Sequence, residues 1–288
     1  MKKLGLALML FVILYACAQQ NEGPFKVEEV SPWCILGFDI LDRTPPQRIA
    51  MLKELGFTKY GYNRGKGTFE EMKEEFDLAK QNDIEITSVF LWLNAKRDSI
   101  GKLSPANQDL LNNLKEVDYK PTIWVSFSDN YFKDLTQEQS VDLSIQFLTF
   151  VKARADELGC KLAIYNHHGW FGNPYNQVEI LEKLNEESLT MVYNFHHAQD
   201  YVDQFSEIAK MITPYLSFVN LNGVKKDGPQ IIPIGKGDHE IEMIRQLRAA
   251  GYKGPWGILG HIKTEDVRKV LEENISGLNL LNTAVTDL

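Results

Sequence analysis

Six histidines occur in this 288-residue chain, and five of them fall in three short clusters. His167 and His168 lie in Tyr-Asn-His-His-Gly-Trp-Phe, His196 and His197 in Tyr-Asn-Phe-His-His-Ala, and His261 in Gly-Ile-Leu-Gly-His. Imidazole ordinarily titrates near neutrality, so clustered histidines suit proton transfer, and neutral imidazole is also a common metal ligand. Each cluster follows a short apolar run, where a β-strand would end. A single histidine reads as an ordinary core or surface residue. Five at the ends of neighbouring runs read as a site, with His167, His196, His197 and His261 as its catalytic candidates.

The same ends carry aromatic and amide side chains. They include Tyr60-Gly-Tyr62-Asn63-Arg64, Trp92-Leu-Asn94, Ser126-Phe-Ser128-Asp129-Asn130 and Asn220-Leu-Asn222, with Trp170 and Phe171 after the first histidine pair. Aromatic faces stack on apolar sugar faces, and amides or imidazoles hydrogen-bond hydroxyls. The candidate substrate-binding residues are Arg64, Trp92, Asn94, His168, Trp170, Asn194, Asn220, Asn222 and Lys236. Lys236 belongs to Ile232-Pro-Ile-Gly-Lys-Gly-Asp238, a Gly-rich loop opening a helix, whose N–H groups could hold an anion. Asp238 equally fits an ordinary N-cap there.

Periodicity supplies the elements that must position these residues. Apolar runs at Trp33–Ile40, Phe57–Tyr62, Ile84–Leu93, Pro121–Phe127, Lys161–Asn166, Leu189–Asn194, Leu216–Asn222 and Pro255–Gly260 read as strands. Amphipathic patterns at Pro45–Leu55, Thr68–Asn82, Ser104–Val117, Thr136–Leu158, Asn176–Glu187, Asp200–Thr213, His239–Ala250 and Thr264–Leu281 read as helices. Gly56, Gly159 and Gly251 sit just past helix ends, where a left-handed residue is wanted. Thr44-Pro45 and Ser104-Pro105 place an N-cap before a first-turn proline. Eight strand–helix units imply parallel strands with right-handed crossovers. They fit one closed (β/α)8 TIM barrel, with its site at the C-terminal ends of the strands. An open doubly wound sheet would want a Gly-rich turn after the first strand, and none is found.

Met1–Gln20 is set apart. Lys2 and Lys3 precede a short apolar run, as in a secretory signal. Leu14-Tyr15-Ala16-Cys17 resembles a bacterial lipobox, departing at Tyr15, with Cys17 the lipidated residue; an ordinary signal cleaved nearby is the alternative. Residues 1–16 are thus expected to be a signal peptide, 17–31 a tether and 32–288 the barrel. The expected location is exported, anchored by lipid to a membrane facing the periplasm or cell surface.

The net charge of −8 argues against a nucleic-acid surface, which needs clustered Lys and Arg. Besides Cys17, only Cys34 and Cys160 remain. Both are assigned to N-terminal strand ends, on opposite strands of the ring. A disulfide needs Cα atoms within about 7 Å, so both are expected to be free thiols.

The chain resembles the xylose isomerase-like TIM-barrel superfamily from about Trp33 to Leu281. The resemblance rests on Ala163-Ile-Tyr-Asn-His-His-Gly, Val192-Tyr-Asn-Phe-His-His-Ala, Val219-Asn-Leu-Asn-Gly, Ile232-Pro-Ile-Gly-Lys-Gly and Gly251-Tyr-Lys-Gly-Pro-Trp-Gly-Ile. It implies sugar isomerase or epimerase chemistry: a proton moved beside a carbonyl through an enediolate, with a divalent metal polarising the oxygens. In such proteins the metal is held by Glu, Asp, His and Glu after strands five to eight. Here those positions are Tyr165, Asn194, Asn220 and Leu259, so a divalent metal stays possible while its usual carboxylates are missing.

Side chains alternate along a strand, so the residue two further on shares a direction roughly 7 Å higher. That brings His167, His196, Asn222 and His261 to one layer. Two readings follow: a metal-free pocket with histidine as acid and base, or a relocated three-histidine metal centre. The expected function is an exported sugar isomerase, epimerase or lyase. His167 or His196 would be the base, and the other of the two with Arg64 would stabilise the oxyanion. The alternative is a non-catalytic carbohydrate-binding lipoprotein.

Overall fold

The computed structural model describes residues 24–64 and 67–285. The expected signal segment and Cys17 lie outside the described residues. Eight parallel strands are β1 (Ser31–Trp33), β2 (Lys59–Tyr62), β3 (Glu85–Leu93), β4 (Thr122–Phe127), β5 (Leu162–Tyr165), β6 (Leu189–Asn194), β7 (Leu216–Leu221) and β8 (Trp256–Leu259). They hydrogen-bond in the order β1-β8-β7-β6-β5-β4-β3-β2. β1 also lies against β2, so the sheet curls into a nearly closed barrel. The helices that follow the strands are α1 (Pro45–Glu54), α2 (Phe69–Gln81), α3 (Pro105–Glu116), α4 (Gln137–Glu157), α5 (Pro174–Leu184), α6 (Phe205–Ile212), α7 (Glu240–Ala249) and α8 (Val267–Ala284). The chain is a single-domain (β/α)8 barrel. Among the described residues no helix is long and apolar enough to cross a membrane.

Local chemistry explains the helix boundaries. The Thr68 hydroxyl accepts from the Glu71 N–H at 3.1 Å while the Glu71 carboxylate accepts from the Thr68 N–H at 2.7 Å, a reciprocal cap on α2. Gly56, Gly159 and Gly251 take φ of +87°, +70° and +101° just past their helices. α5 begins earlier than its pattern suggests, because Asn173 caps it through the Tyr175 N–H. The segment Gln199–Gln204 is a 3-10 helix, so only Phe205–Ile212 of the expected Asp200–Thr213 helix is α-helical.

One strand differs in position. Strand one was expected at Trp33–Ile40 but ends at Trp33, because Cys34 takes φ of +57° and leaves the extended region. Ile35 and Leu36 are buried in the loop that follows, which gives that loop the composition of a strand. Cys34 therefore stands at the C-terminal rim rather than the N-terminal end. Cys160 does precede β5, and both thiols are free. Of the residues expected as a tether, the described ones pack on the barrel. Phe25 packs edge-on against Trp256, with ring centroids 5.4 Å apart, and Asn282 hydrogen-bonds both the N–H and the C=O of Phe25.

Two cores hold the barrel. Aliphatic and aromatic side chains fill the layer between strands and helices. Inside the ring, Trp33, Trp124, Tyr165, Val192, Phe218 and Leu259 form a second cluster. Trp33 and Trp124 lie 4.6 Å apart by ring centroid, and Trp124 stacks on Tyr165 at 5.8 Å. This aromatic plug closes the barrel axis and makes the floor of what lies above it.

Candidate functional site

The histidines reach the rim through turns rather than through continued strand. After β5 the His167 N–H donates to the Tyr165 carbonyl at 2.8 Å, folding the chain back within two residues. The Asn166 side chain then takes the place of strand backbone: its Oδ1 accepts from the Asn194 N–H at 2.6 Å and its Nδ2 donates to the Asn194 carbonyl at 3.2 Å. The turn continues through Gly169 at φ of +76° and Gly172. A Cβ on Gly172 would lie 1.2 Å from the His167 carbonyl oxygen, so only glycine fits there. After β6, Asn194 Oδ1 accepts from the His196 N–H at 3.0 Å and opens the 3-10 turn Phe195–His197. Phe195 goes into the core, while His196 and His197 face the barrel axis.

Above the plug opens a cavity of about 270 Å³, lined by Trp33, Cys34, Phe38, Asn63, Phe90, Trp92, Tyr165, His167, His196, His197 and His261. Its volume is close to the lower bound for small-molecule sites, about 300 Å³. Aromatic rings wall it. Phe90 and Trp92, two apart on β3, stack with centroids 6.1 Å apart, and Trp92 meets His167 edge-on at 4.7 Å. Phe38 packs on His261 at 3.8 Å. No carboxylate is among the lining residues.

Burial makes these imidazoles neutral. Desolvation, reinforced by His168 and His261, pushes His167 down to about 4. Desolvation, then His261 and His168, pushes His196 down to about 3, and Lys263 adds to the desolvation that lowers His261 to about 4. His197 is driven lower still, chiefly by burial and next by His196. The expectation of imidazoles poised near neutrality therefore does not hold for these buried rings. Burial also pushes the Cys34 thiol up to about 12, against a hydrogen bond from Asn63 that lowers it.

Other expected site residues lie elsewhere. Arg64 lines a neighbouring cleft with Arg97 and Asn107, separated from the histidines by Phe90 and Trp92, and its guanidinium sits 4.4 Å from the Phe69 ring centroid. Asn94 caps its own loop, its Oδ1 accepting from the Lys96 N–H at 3.0 Å. Trp170 donates to Gln137 Oε1 at 2.8 Å and packs on Phe132, away from the cavity. Asn222 turns its Nδ2 to the Gly223 carbonyl at 2.8 Å and does not line the cavity, because β7 ends at Leu221 and the chain pairs Gly223 with Ile232 instead. His168 is exposed at the rim, with its Nε2 3.4 Å from Gln230 Nε2.

The Gly-rich loop is already filled. Glu240 is 1 % exposed. Its Oε1 accepts from the Gly235 and Gly237 N–H groups at 3.1 and 2.9 Å, and its Oε2 from the Val224 N–H at 3.1 Å. The anion at these N–H groups is the chain's own carboxylate, and Lys236 is exposed beside it. Asp238 does not cap α7; His239 holds that position.

The four positions where the family resemblance places metal ligands were tested for fit. Tyr165 and Asn194 hydrogen-bond each other, Leu259 belongs to the apolar plug, and Asn220 is a neutral amide, fully buried, with neither amide atom hydrogen-bonded among the described residues. One phenol, two amides and an alkyl group do not fit a divalent cation that wants carboxylate oxygens.

Sequence reasoning missed Cys34, Phe38, Asn63 and Phe90 as lining residues. The displaced first strand hid the first two. Asn63 and Phe90 sit among residues already read as rim or strand end, and the alternation along β3 was a signal for Phe90.

The model of the xylose isomerase-like TIM barrel family matches residues 68–279. Comparison with curated proteins finds no match. Solved structures with the same fold include D-psicose 3-epimerase with D-tagatose from Clostridium cellulolyticum H10, at 15% identity and a TM-score of 0.63 over 88% of this chain and 98% of that one. A second is 3-keto-D-glucoside 4-epimerase from E. coli, at 15% identity and a TM-score of 0.63 over 90% of this chain and 100% of that one. A third is a xylose isomerase-like TIM barrel protein from Mycobacterium smegmatis in complex with magnesium, at 14% identity and a TM-score of 0.60 over 92% of this chain and 100% of that one.

Proposed function

The chain belongs to the xylose isomerase-like TIM barrel family, and from that premise we propose that it is a sugar isomerase or epimerase acting beside a sugar carbonyl without the family's carboxylate metal site. The observation that carries this reading is the cavity itself: four imidazoles and an aromatic wall at the C-terminal face of the barrel, with no carboxylate lining it. Two of the solved structures sharing the fold are named as epimerases of a ketose and of a keto-glycoside. Aromatic rings such as Trp92 and Phe38 suit the apolar faces of a sugar, and Asn63 with the histidines suits its hydroxyls.

His167 is the best-placed base. It lines the cavity, is half-buried, and is held neutral, so its lone pair is free to take a proton. Desolvation in the cavity strongly disfavours its conjugate acid. An enediolate forming in the same desolvated space supplies the countercharge that raises its basicity during the reaction. His261 lines the same cavity and serves as a hydrogen-bond donor to the developing oxyanion, a role the sequence reading gave to Arg64 and a histidine of the other cluster.

The second reading is a carbohydrate-binding protein without turnover, favoured by the same lack of a lining carboxylate. Proton exchange separates the two. Ketoses and keto-glycosides incubated with the protein in D2O should lose the C–H signal beside the carbonyl, followed by NMR. His167→Ala should slow this by about 10²–10⁴-fold. Sugar binding with no exchange in the parent protein would establish the binding reading instead. Export and anchoring through Cys17 are part of the same proposal. Metabolic labelling with a palmitate analogue should mark the membrane fraction and be lost in Cys17→Ala.

A further inference from the structure

Three imidazoles converge more closely than proton transfer requires. One ring nitrogen from each of His168, His196 and His197 lies within 4.8 Å of the other two. Ring centroids are 4.2 Å apart for His196 and His197, 4.3 Å for His168 and His197, and 6.0 Å for His168 and His196. The pairing is not the one that strand alternation would produce, because both chain segments turn before they reach it.

A second observation points to a ligand. His196 is only 6 % exposed, and its Nδ1 is buried with no hydrogen-bond partner among the described residues. The Nδ1 of His197 is likewise buried and unpartnered. Buried nitrogen lone pairs without a donor are unfavourable unless something fills them. Gln230 lies over the same cluster: its backbone acts on the His196 ring, and its side-chain Nε2 lies 3.4 Å from His168 Nε2.

We propose that His168, His196 and His197 form a three-imidazole site for a borderline divalent cation of the Zn²⁺ type, with its remaining coordination position open to the cavity. Three nitrogens and no oxygen ligand select against Mg²⁺ and Ca²⁺. Tetrahedral Zn²⁺ with Zn–N of about 2.0–2.1 Å places its nitrogens about 3.3 Å apart. The nitrogens, within 4.8 Å of one another, close to that spacing by rotation of the imidazole rings. The site stands apart from the positions of Tyr165, Asn194, Asn220 and Leu259. The inference concerns binding and does not depend on sugar turnover.

The test is a ZnCl2 titration of the full chain after chelator stripping, followed by calorimetry and elemental analysis. Cobalt substitution adds a visible spectrum that reports nitrogen coordination. One Zn²⁺ per chain is expected, with a rise in melting temperature on loading and no comparable effect of MgCl2. His168→Ala, at an exposed position, and His197→Ala should each lose stoichiometric binding, with circular dichroism confirming the folded state. His167→Ala and His261→Ala should keep it. No stoichiometric Zn²⁺ in the parent, retention in His168→Ala, or equal loss in His167→Ala and His261→Ala would overturn the assignment.

Discussion

The side-chain amide of Asn194 donates to the hydroxyl of Tyr165 between the ends of two neighbouring strands. The same Asn194 accepts from the His196 N–H through its Oδ1. One amide thus joins the floor of the cavity to the turn that carries two of its histidines. Tyr165→Phe removes the acceptor and leaves a buried Asn194 Nδ2 unpaired. Denaturant unfolding should show a loss of about 1–3 kcal/mol. An unchanged midpoint would mean that Asn194 finds another acceptor there.

Gly172 sets the turn that holds His167 and His168. A Cβ there meets the His167 carbonyl. Gly172→Ala should cost about 1–3 kcal/mol as an overpacking change and displace both histidines. The far-ultraviolet spectrum should stay barrel-like while histidine ring resonances shift. Retained shifts would show that the turn yields elsewhere.

Glu240 and Lys236 make a contrast within one loop. Glu240→Ala strands three backbone N–H groups, and each unsatisfied donor is worth about 1–3 kcal/mol. Lys236→Ala removes an exposed side chain and should stay within about 0.5 kcal/mol of the parent. Thermal unfolding of both variants checks the pair. A large effect of Lys236→Ala would return that residue to the site.

The pH dependence follows from the depressed imidazoles. His167 and His196 protonate near pH 4 and 3 in the folded chain and near 6.5 when unfolded. Between about pH 4 and 6.5 the unfolded state binds more protons, so stability rises with pH and is lost on acidification. In chelator-treated protein each such histidine adds a slope of up to about 1.4 kcal/mol per pH unit in that window. The more exposed His261 adds a smaller, screened share. Melting temperature measured from pH 4 to 8 should climb to about pH 6.5 and then level. A flat profile through pH 5 would show that the imidazoles are not desolvated.

The barrel was legible because its information is local and repeated. Eight apolar runs, the glycines past the helix ends and the capping threonines each act within a few residues. Strand one was the exception: Ile35 and Leu36 are as apolar as a strand, and the turn at Cys34 leaves no compositional mark. The placing of five histidines past the ends of strands five, six and eight was legible in the same local way.

The sequence by itself determined the fold and the residue types at Tyr165, Asn194, Asn220 and Leu259, none of which is a carboxylate. Tertiary structure decided which side chains meet. Alternation holds only while backbone stays extended, and β5 and β6 end in turns stabilised by Asn166 and Asn194. Those turns set His168 beside His196 and His197, while the Gly223–Ile232 pairing turns Asn222 away and Arg64 lies in the neighbouring cleft with Trp92 between. Burial, which no spacing reveals, lowered the imidazoles that looked poised for neutral pH. A carboxylate 16 residues from its partner Val224 filled the loop that looked ready for a bound anion.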